Sequence, residues 1–272
     1  MRRSQLYVPA NNEQKIRKSV TLDADEIILD LEDAVPQAEK QKARDLVKSL
    51  FHELDWGKKA IWIRANPPTT NHFLKDLELV SSLDALYGVV IPKAEESVTW
   101  VNELCEKSLM PLIETPRGLL SLEKLVRSEG VVAVGYGAAD FALFVGGSVT
   151  QYSSNVYIKS ALVITASAYG VDAVDNVFFD LSDIEGFVRQ AQEARALGFV
   201  GKQVIHPTQI PHANRIFSPT EEEVSWAKSV IQAYEEAESK GKGALKVQDK
   251  LVDAVHYRIA RRILDAYERL EK

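Results

Sequence analysis

Two acids that follow short apolar runs, Glu114 in PLIETPRG and Asp140 in GYGAADF, are the first candidates for chemistry. Mg2+ takes one or two protein carboxylates and completes its octahedron with water and substrate oxygens. Two acids without partner histidines or thiols therefore suit Mg2+ better than zinc. Spacing alone leaves a second reading open, because Glu114 also suits a cap on a helix starting near Thr115, and Asp140 one starting near Phe141. Arg64 follows the run AIWI and precedes ANPP, which drives the chain into an extended turn. A guanidinium fixed there can hold a carboxylate by two parallel hydrogen bonds, and an ion pair to Glu32 or Asp33 is compatible with that task. Asp30, Glu32 and Asp33, all in DLEDAVP, cannot stay charged and unpaired together, so some must meet cations or water. Lys93 after VVIP suits either a Schiff base or an anion contact, and His206 in GKQVIHPTQ either a general base or a hydrogen-bonded wall residue. The glycines of GYGAAD and FVGGS form no dinucleotide fingerprint, and neither a P-loop nor a G-x-S-x-G elbow is present.

These residues share a position: each sits at or just after the carboxyl end of an apolar run. Eight such runs follow one another, SQLYVPA, DEIILDLEDAV, KAIWIRANP, YGVVIPKA, LMPLIETP, VVAVGYGAAD, VDAVDNVFFD and GKQVIHP. Amphipathic segments at 37–54, 71–83 and 182–197 lie between them, as outer helices require. The alternation predicts an α/β fold, a (β/α)8 barrel whose strand ends open on one face. The barrel is expected over 1–219 and a carboxyl-terminal helical lid over 220–272. SPTEEEVSWAKSVIQAYEEAE opens that extension with a stop and an acidic first turn, and a Gly/Lys-rich connector, SKGKGALKVQ, precedes a last helix. Leu251, Val255, Ile259, Ile263, Tyr267 and Leu270 recur there as an apolar stripe, with Asp253 on the opposite face.

With 272 residues, 46% hydrophobic and 26% charged, the composition is that of a globular protein. A net charge of −6 argues against nucleic-acid binding, and no apolar run approaches a bilayer span. No signal-peptide core follows MRRSQLYVPA, and the single cysteine, Cys105, can form no internal disulfide. A cytoplasmic location is the expectation.

In order and spacing, RSQLYVPA, DLEDAVP, IRANP, VIPKAE, IETPRGL, GAADF, GKQVIHPTQI and FSPTEEEVSWA resemble the citrate lyase β-subunit and malyl-CoA lyase family, in particular its stand-alone members. The resemblance runs from Arg3 to the last helix. It implies a TIM barrel and a Mg2+-dependent, reversible Claisen-type cleavage of a 3-hydroxyacyl-CoA into an acyl-CoA and a 2-oxo acid. By matching motif, Glu114 and Asp140 are implied to bind Mg2+, and Arg64 the oxo acid's carboxylate. Glu32 and Asp33 would support the metal's waters and Arg64, while Arg3 and Lys40 would serve the CoA side. KLVDAVHYRIARRIL matches the segment whose carboxylate acts as acid/base, often on a neighbouring subunit's site, which gives Asp253 that role. Val255 stands where the family commonly has proline, a departure that bears on lid geometry. A homotrimer, or pairs of trimers, is expected. A metal-dependent aldolase acting on free oxo acids and a non-catalytic CoA-ligand-binding subunit are the competing readings.

Overall fold

The computed structural model describes residues 1–238, 245–247 and 250–271. Each apolar run forms a strand: β1 (Ser4–Pro9), β2 (Glu26–Asp30), β3 (Ala60–Arg64), β4 (Gly88–Ile91), β5 (Ser108–Ile113), β6 (Ala133–Tyr136), β7 (Asp172–Asp175) and β8 (Gly201–Val204). They pair in chain order, all parallel, and β8 returns to β1 with Gln203 opposite Gln5, so the sheet closes into a (β/α)8 TIM barrel. The intervening helices are α1 (Glu13–Ser19), α2 (Lys40–Glu53), α3 (Phe73–Ser81), α4 (Thr99–Cys105), α5 (Pro116–Leu120) and α6 (Leu122–Val126). After β6 come three, α7 (Ala138–Val145), α8 (Val149–Ser153) and α9 (Val156–Ala168); α10 (Ile184–Leu197) precedes β8 and α11 (Ile210–Ile216) follows it.

The strands are apolar on both faces because both are covered. Ile28, Trp62, Val90, Met110, Leu112, Ala133 and Val174 form the inner cluster, while Ile27, Leu29, Ile61 and Ile63 alternate with them and are equally buried. Trp62 fits because Gly88 faces it on β4: a Cβ at Gly88 would stand 2.5 Å from the indole. Arg2 stops the amino end of the barrel, with Nη1 2.6 Å from Glu26 and Nε 2.9 Å from Asp172. The ANPP turn after β3 is fastened from below. Asp76 accepts from the Asn66 backbone N–H and side-chain amide, both at 2.7 Å, and from Arg44 at 2.8 Å, in a buried knot.

By its internal contacts the chain divides into two compact units, Arg2–Arg215 and Ile216–Lys272. In the second unit, α12 (Glu221–Glu238) starts with a capping box. Thr220 Oγ1 accepts from the Glu223 N–H at 3.1 Å, and the Glu223 carboxylate accepts from the Thr220 N–H at 2.8 Å. Of the connector at 239–248 only 245–247 fall within the described residues, where β9 (Leu245–Val247) pairs antiparallel with β10 (Lys250–Val252). The last helix, α13 (Ala254–Glu271), packs on α12 through Ala260, Ile263 and Leu264 against Trp226, Ala227, Val230 and Ile231. This corrects the stripe expected from the spacing: Leu251, Val255 and Ile259 are exposed. The buried line runs through Ala260 instead, whose small side chain admits close helix approach. Among the described residues no helix is long and apolar enough to cross a membrane.

Candidate active site

Asp30, Arg64, Glu114 and Asp140 follow one another around the carboxyl-terminal rim, on β2, β3, just past β5 and in the first turn of α7. The alternation that turns Ile28 and Trp62 into the barrel also turns Asp30 and Arg64 inward, one step higher. Arg64 donates from Nε and Nη2 to the two oxygens of Asp30 at 2.8 and 2.7 Å, a bidentate pair, and its Nη1 lies 3.0 Å from Glu32 Oε2. Beneath the guanidinium lies the Tyr7 ring, 4.9 Å away. Arg64 is therefore held by two acids and an aromatic plane, and its side chain is only 13% exposed.

Neither capping alternative holds. Thr115 caps α5, accepting from the Gly118 N–H at 3.0 Å, and Gly137 is the residue that precedes α7. Glu114 and Asp140 are thus free of helix-capping duty and turn to Lys93. The Lys93 N–H donates to Glu114 Oε2 at 2.8 Å, from a backbone in the left-handed region with φ of 50°. Its ammonium donates to Glu32 Oε1 at 2.6 Å and stands 3.6 Å from Asp140 and 4.0 Å from Glu114. Burial, then the Glu32 charge, pushes the Glu114 carboxyl up to about 8 despite Arg64 and Lys93. Burial likewise raises Glu32, against the pull of Arg64.

The donors fit a hard divalent cation on three counts. The four acids Asp30, Glu32, Glu114 and Asp140, the first three of them buried, face only the two cations Arg64 and Lys93, so negative charge there is not fully offset. Glu114 lies in a cradle that a side chain would fill, since a Cβ on Gly137 would stand 2.3 Å from its Cγ. The Asp140 side chain is 31% exposed, so the pair is reachable from solvent. Two carboxylates with room for water and substrate oxygens are what Mg2+ needs. The residues that would hold it are Glu114 and Asp140.

The other expected residues are placed differently. Asp33 is exposed on the loop that carries Glu32. Lys40 is buried, and its ammonium donates to the Leu31 and Glu32 carbonyls, both at 2.6 Å, so it fastens that loop from beneath rather than facing a ligand. The expectation for Arg3 is corrected. It precedes β1 at the amino-terminal rim and is tied to Asp25 at 2.7 Å, about 20 Å of strand from the site. His206 engages its Nδ1 with Thr208. Asp253 belongs to the carboxyl-terminal unit and immediately precedes α13. It accepts from the Val255 N–H at 2.9 Å and pairs with His256 Nδ1 at 2.8 Å, and the His256 hydrogen bond lowers its pKa. Sequence reasoning assigned no role to Asp30 beyond its charge, and none to Tyr7 or Gly137. Strand alternation would have flagged the first two, whereas the third required the packing.

A model of the family described as HpcH/HpaI aldolase/citrate lyase matches residues 3–207. The mitochondrial citramalyl-CoA lyase of Rattus norvegicus is 34% identical over 93% of this chain and 82% of its own length. The (3S)-malyl-CoA thioesterase of Cereibacter sphaeroides is 33% identical over 96% and 93%. The crystal structure of CitE from Mycobacterium tuberculosis in complex with magnesium, acetoacetate and coenzyme A has a TM-score of 0.82 and 30% identity, covering 97% of each chain. A barrel with paired acids at its rim, a family model matched from the first strand to the last and relatives along nearly all of the chain make this protein a member of the HpcH/HpaI aldolase/citrate lyase family.

Proposed function

We propose that this rim is the active site of a Mg2+-dependent carbon–carbon lyase. Its reaction is the reversible Claisen-type cleavage of a 3-hydroxyacyl-CoA, of citryl-, malyl- or citramalyl-CoA type, into an acyl-CoA and a 2-oxo acid. The observation that carries the reading is the pairing of Glu114 and Asp140 across Lys93, on the rim where Asp30 fixes Arg64. The relatives' names support the substrate class, and the CitE complex with magnesium, acetoacetate and coenzyme A supports the metal and the ligands.

When bound by Glu114 and Asp140, the ion supplies Lewis-acid polarisation of the substrate oxygens. Asp30 occupies the Nε and Nη2 edge of Arg64, which leaves N–H groups of the Nη1 and Nη2 edge for the oxo acid's carboxylate. Glu32 steadies Arg64 and Lys93 together, and exposed Asp33 on the same loop is available to ordered water. Cleavage needs a base for the substrate hydroxyl. As that proton leaves, the carbon–carbon electron pair passes to the carbon beside the thioester, which later regains a proton. Asp253, kept ionised by His256, takes this role in our reading, on the site of a neighbouring subunit in a homotrimer or a pair of trimers. The exposed Leu251, Val255 and Ile259 beside it favour such an assembly. We place the protein in the cytoplasm, as the single free Cys105 favours; subcellular fractionation tests this.

The decisive experiment offers a panel of CoA thioesters with Mg2+ and identifies the released oxo acid by mass spectrometry. Metal-dependent release from one 3-hydroxyacyl-CoA is expected, and activity on free oxo acids alone would overturn the reading. Asp253→Asn preserves a good helix cap, so it isolates the chemistry: turnover should fall steeply with the fold unchanged, and undiminished turnover removes Asp253 from the reaction.

A further inference from the structure

Lys93 addresses three rim acids at once, and it does so with two separate groups. Its backbone N–H holds Glu114 at 2.8 Å. Its ammonium sits among Glu32, Asp140 and Glu114 at 2.6, 3.6 and 4.0 Å. Mg2+ binds carboxylate oxygens at about 2.0–2.1 Å. An ion held by Glu114 and Asp140 would therefore stand within a few ångströms of this ammonium, where two positive charges repel strongly and a low-dielectric wall screens them little. Both cannot occupy the place where these acids meet.

The two rim cations differ in their freedom to leave it. Arg64 is pinned by two bonds to Asp30 over the Tyr7 ring. The Lys93 side chain is 34% exposed and has one short hydrogen bond at its tip, on a flexible four-carbon stem. If the ammonium swings outward, the N–H contact to Glu114 stays, because it belongs to the backbone.

We propose that the Lys93 ammonium is an exchangeable counter-ion: it gathers Glu32, Glu114 and Asp140 in the metal-free protein, and the arriving divalent cation displaces it toward solvent. This rests on the reading of Glu114 and Asp140 as the metal residues. Lys93 thus lowers the affinity for Mg2+ while keeping the acids assembled before the metal arrives.

Calorimetric titration of Mg2+ into the full chain tests both levels. Titrated well above pH 8, where proton competition at Glu114 is relieved, Lys93→Met should bind Mg2+ about tenfold more tightly or better, since a competitor is gone. Equal or weaker binding overturns the proposal. Glu114→Gln separates the two levels: if it binds Mg2+ as the wild type does, the metal assignment itself falls. A second measurement needs no variant. Reductive methylation of the wild-type protein, read by peptide mass spectrometry, should label Lys93 several-fold faster with saturating Mg2+ than without. Unchanged or slower labelling refutes displacement.

Discussion

The barrel holds two buried charge clusters with opposite imbalances. At the rim, the four acids Asp30, Glu32, Glu114 and Asp140 face the two cations Arg64 and Lys93. Behind β7 and β8, Lys159 and Lys202 share one carboxylate, that of Asp175, at 2.9 and 2.6 Å. The second cluster is closed: all three side chains are essentially inaccessible. Lys202 completes its shell with the Asn176 carbonyl and Gln190 Oε1, each at 2.7 Å. Burial pushes the Lys202 ammonium down to about 8, so this cluster sheds its excess charge only as pH rises through that value. The rim cluster opens to solvent at Asp140 and Lys93, and its deficit can be met by an ion from outside. Charge imbalance is thus common to both regions; access is what would let one of them take up an ion.

Four substitutions break or sharpen this contrast. Glu114→Ala should act most strongly, abolishing Mg2+ binding and lowering kcat/KM by about a thousandfold or more while leaving the thermal midpoint nearly unchanged. Retained metal affinity in calorimetry would put the ion elsewhere. Asp175→Ala should show the converse, costing about 3–5 kcal/mol in denaturant unfolding because two interior ammoniums lose their partner, with the folded fraction still binding Mg2+. Loss of metal binding in that variant would mean that the two clusters are energetically coupled rather than independent. Arg64→Lys keeps the charge but gives up the bidentate geometry. It should reduce kcat/KM on the order of a hundredfold, mainly through KM for the oxo acid in the condensation direction.

The smallest effect concerns pH. Between about 8 and 10.5 the unfolded chain keeps a proton that folded Lys202 has released. Stability from this group therefore rises with pH across that window and is lost as pH falls through about 8. Lys202→Met should flatten that part of a stability-against-pH curve, and an unchanged slope would assign it to another group.

Much of the fold was legible because the strands are short apolar runs between polar ends, as in EIILD and AIWIR. Residues at or just past those ends, such as Arg64 and Glu114, could be assigned to one face for the same reason. The logic that places Arg64 on the active rim also places Arg3, which precedes its strand, on the far one; motif resemblance had overridden it. Lys40 escaped because its side chain folds back under a loop, a tertiary fact. Asp253 shows how one residue of helix boundary matters: a helical-wheel position means nothing for a residue that caps the helix instead of joining it. The left-handed backbone of Lys93 carries no composition signal, since glycine and asparagine are the usual occupants of that region.

The bare α-carbon of Gly137 has a consequence for redesign. Glu114 leans into the space a methyl group would take, so the β5 and β6 side of the mouth is locked by backbone proximity and offers no position there for diversification. On the β1 side the floor is a side chain rather than main chain: the Tyr7 ring lies 4.9 Å from the Arg64 guanidinium, so replacing it changes what Arg64 rests on. A laboratory search for altered substrate preference should randomise Tyr7 and its surroundings and leave Gly137 alone.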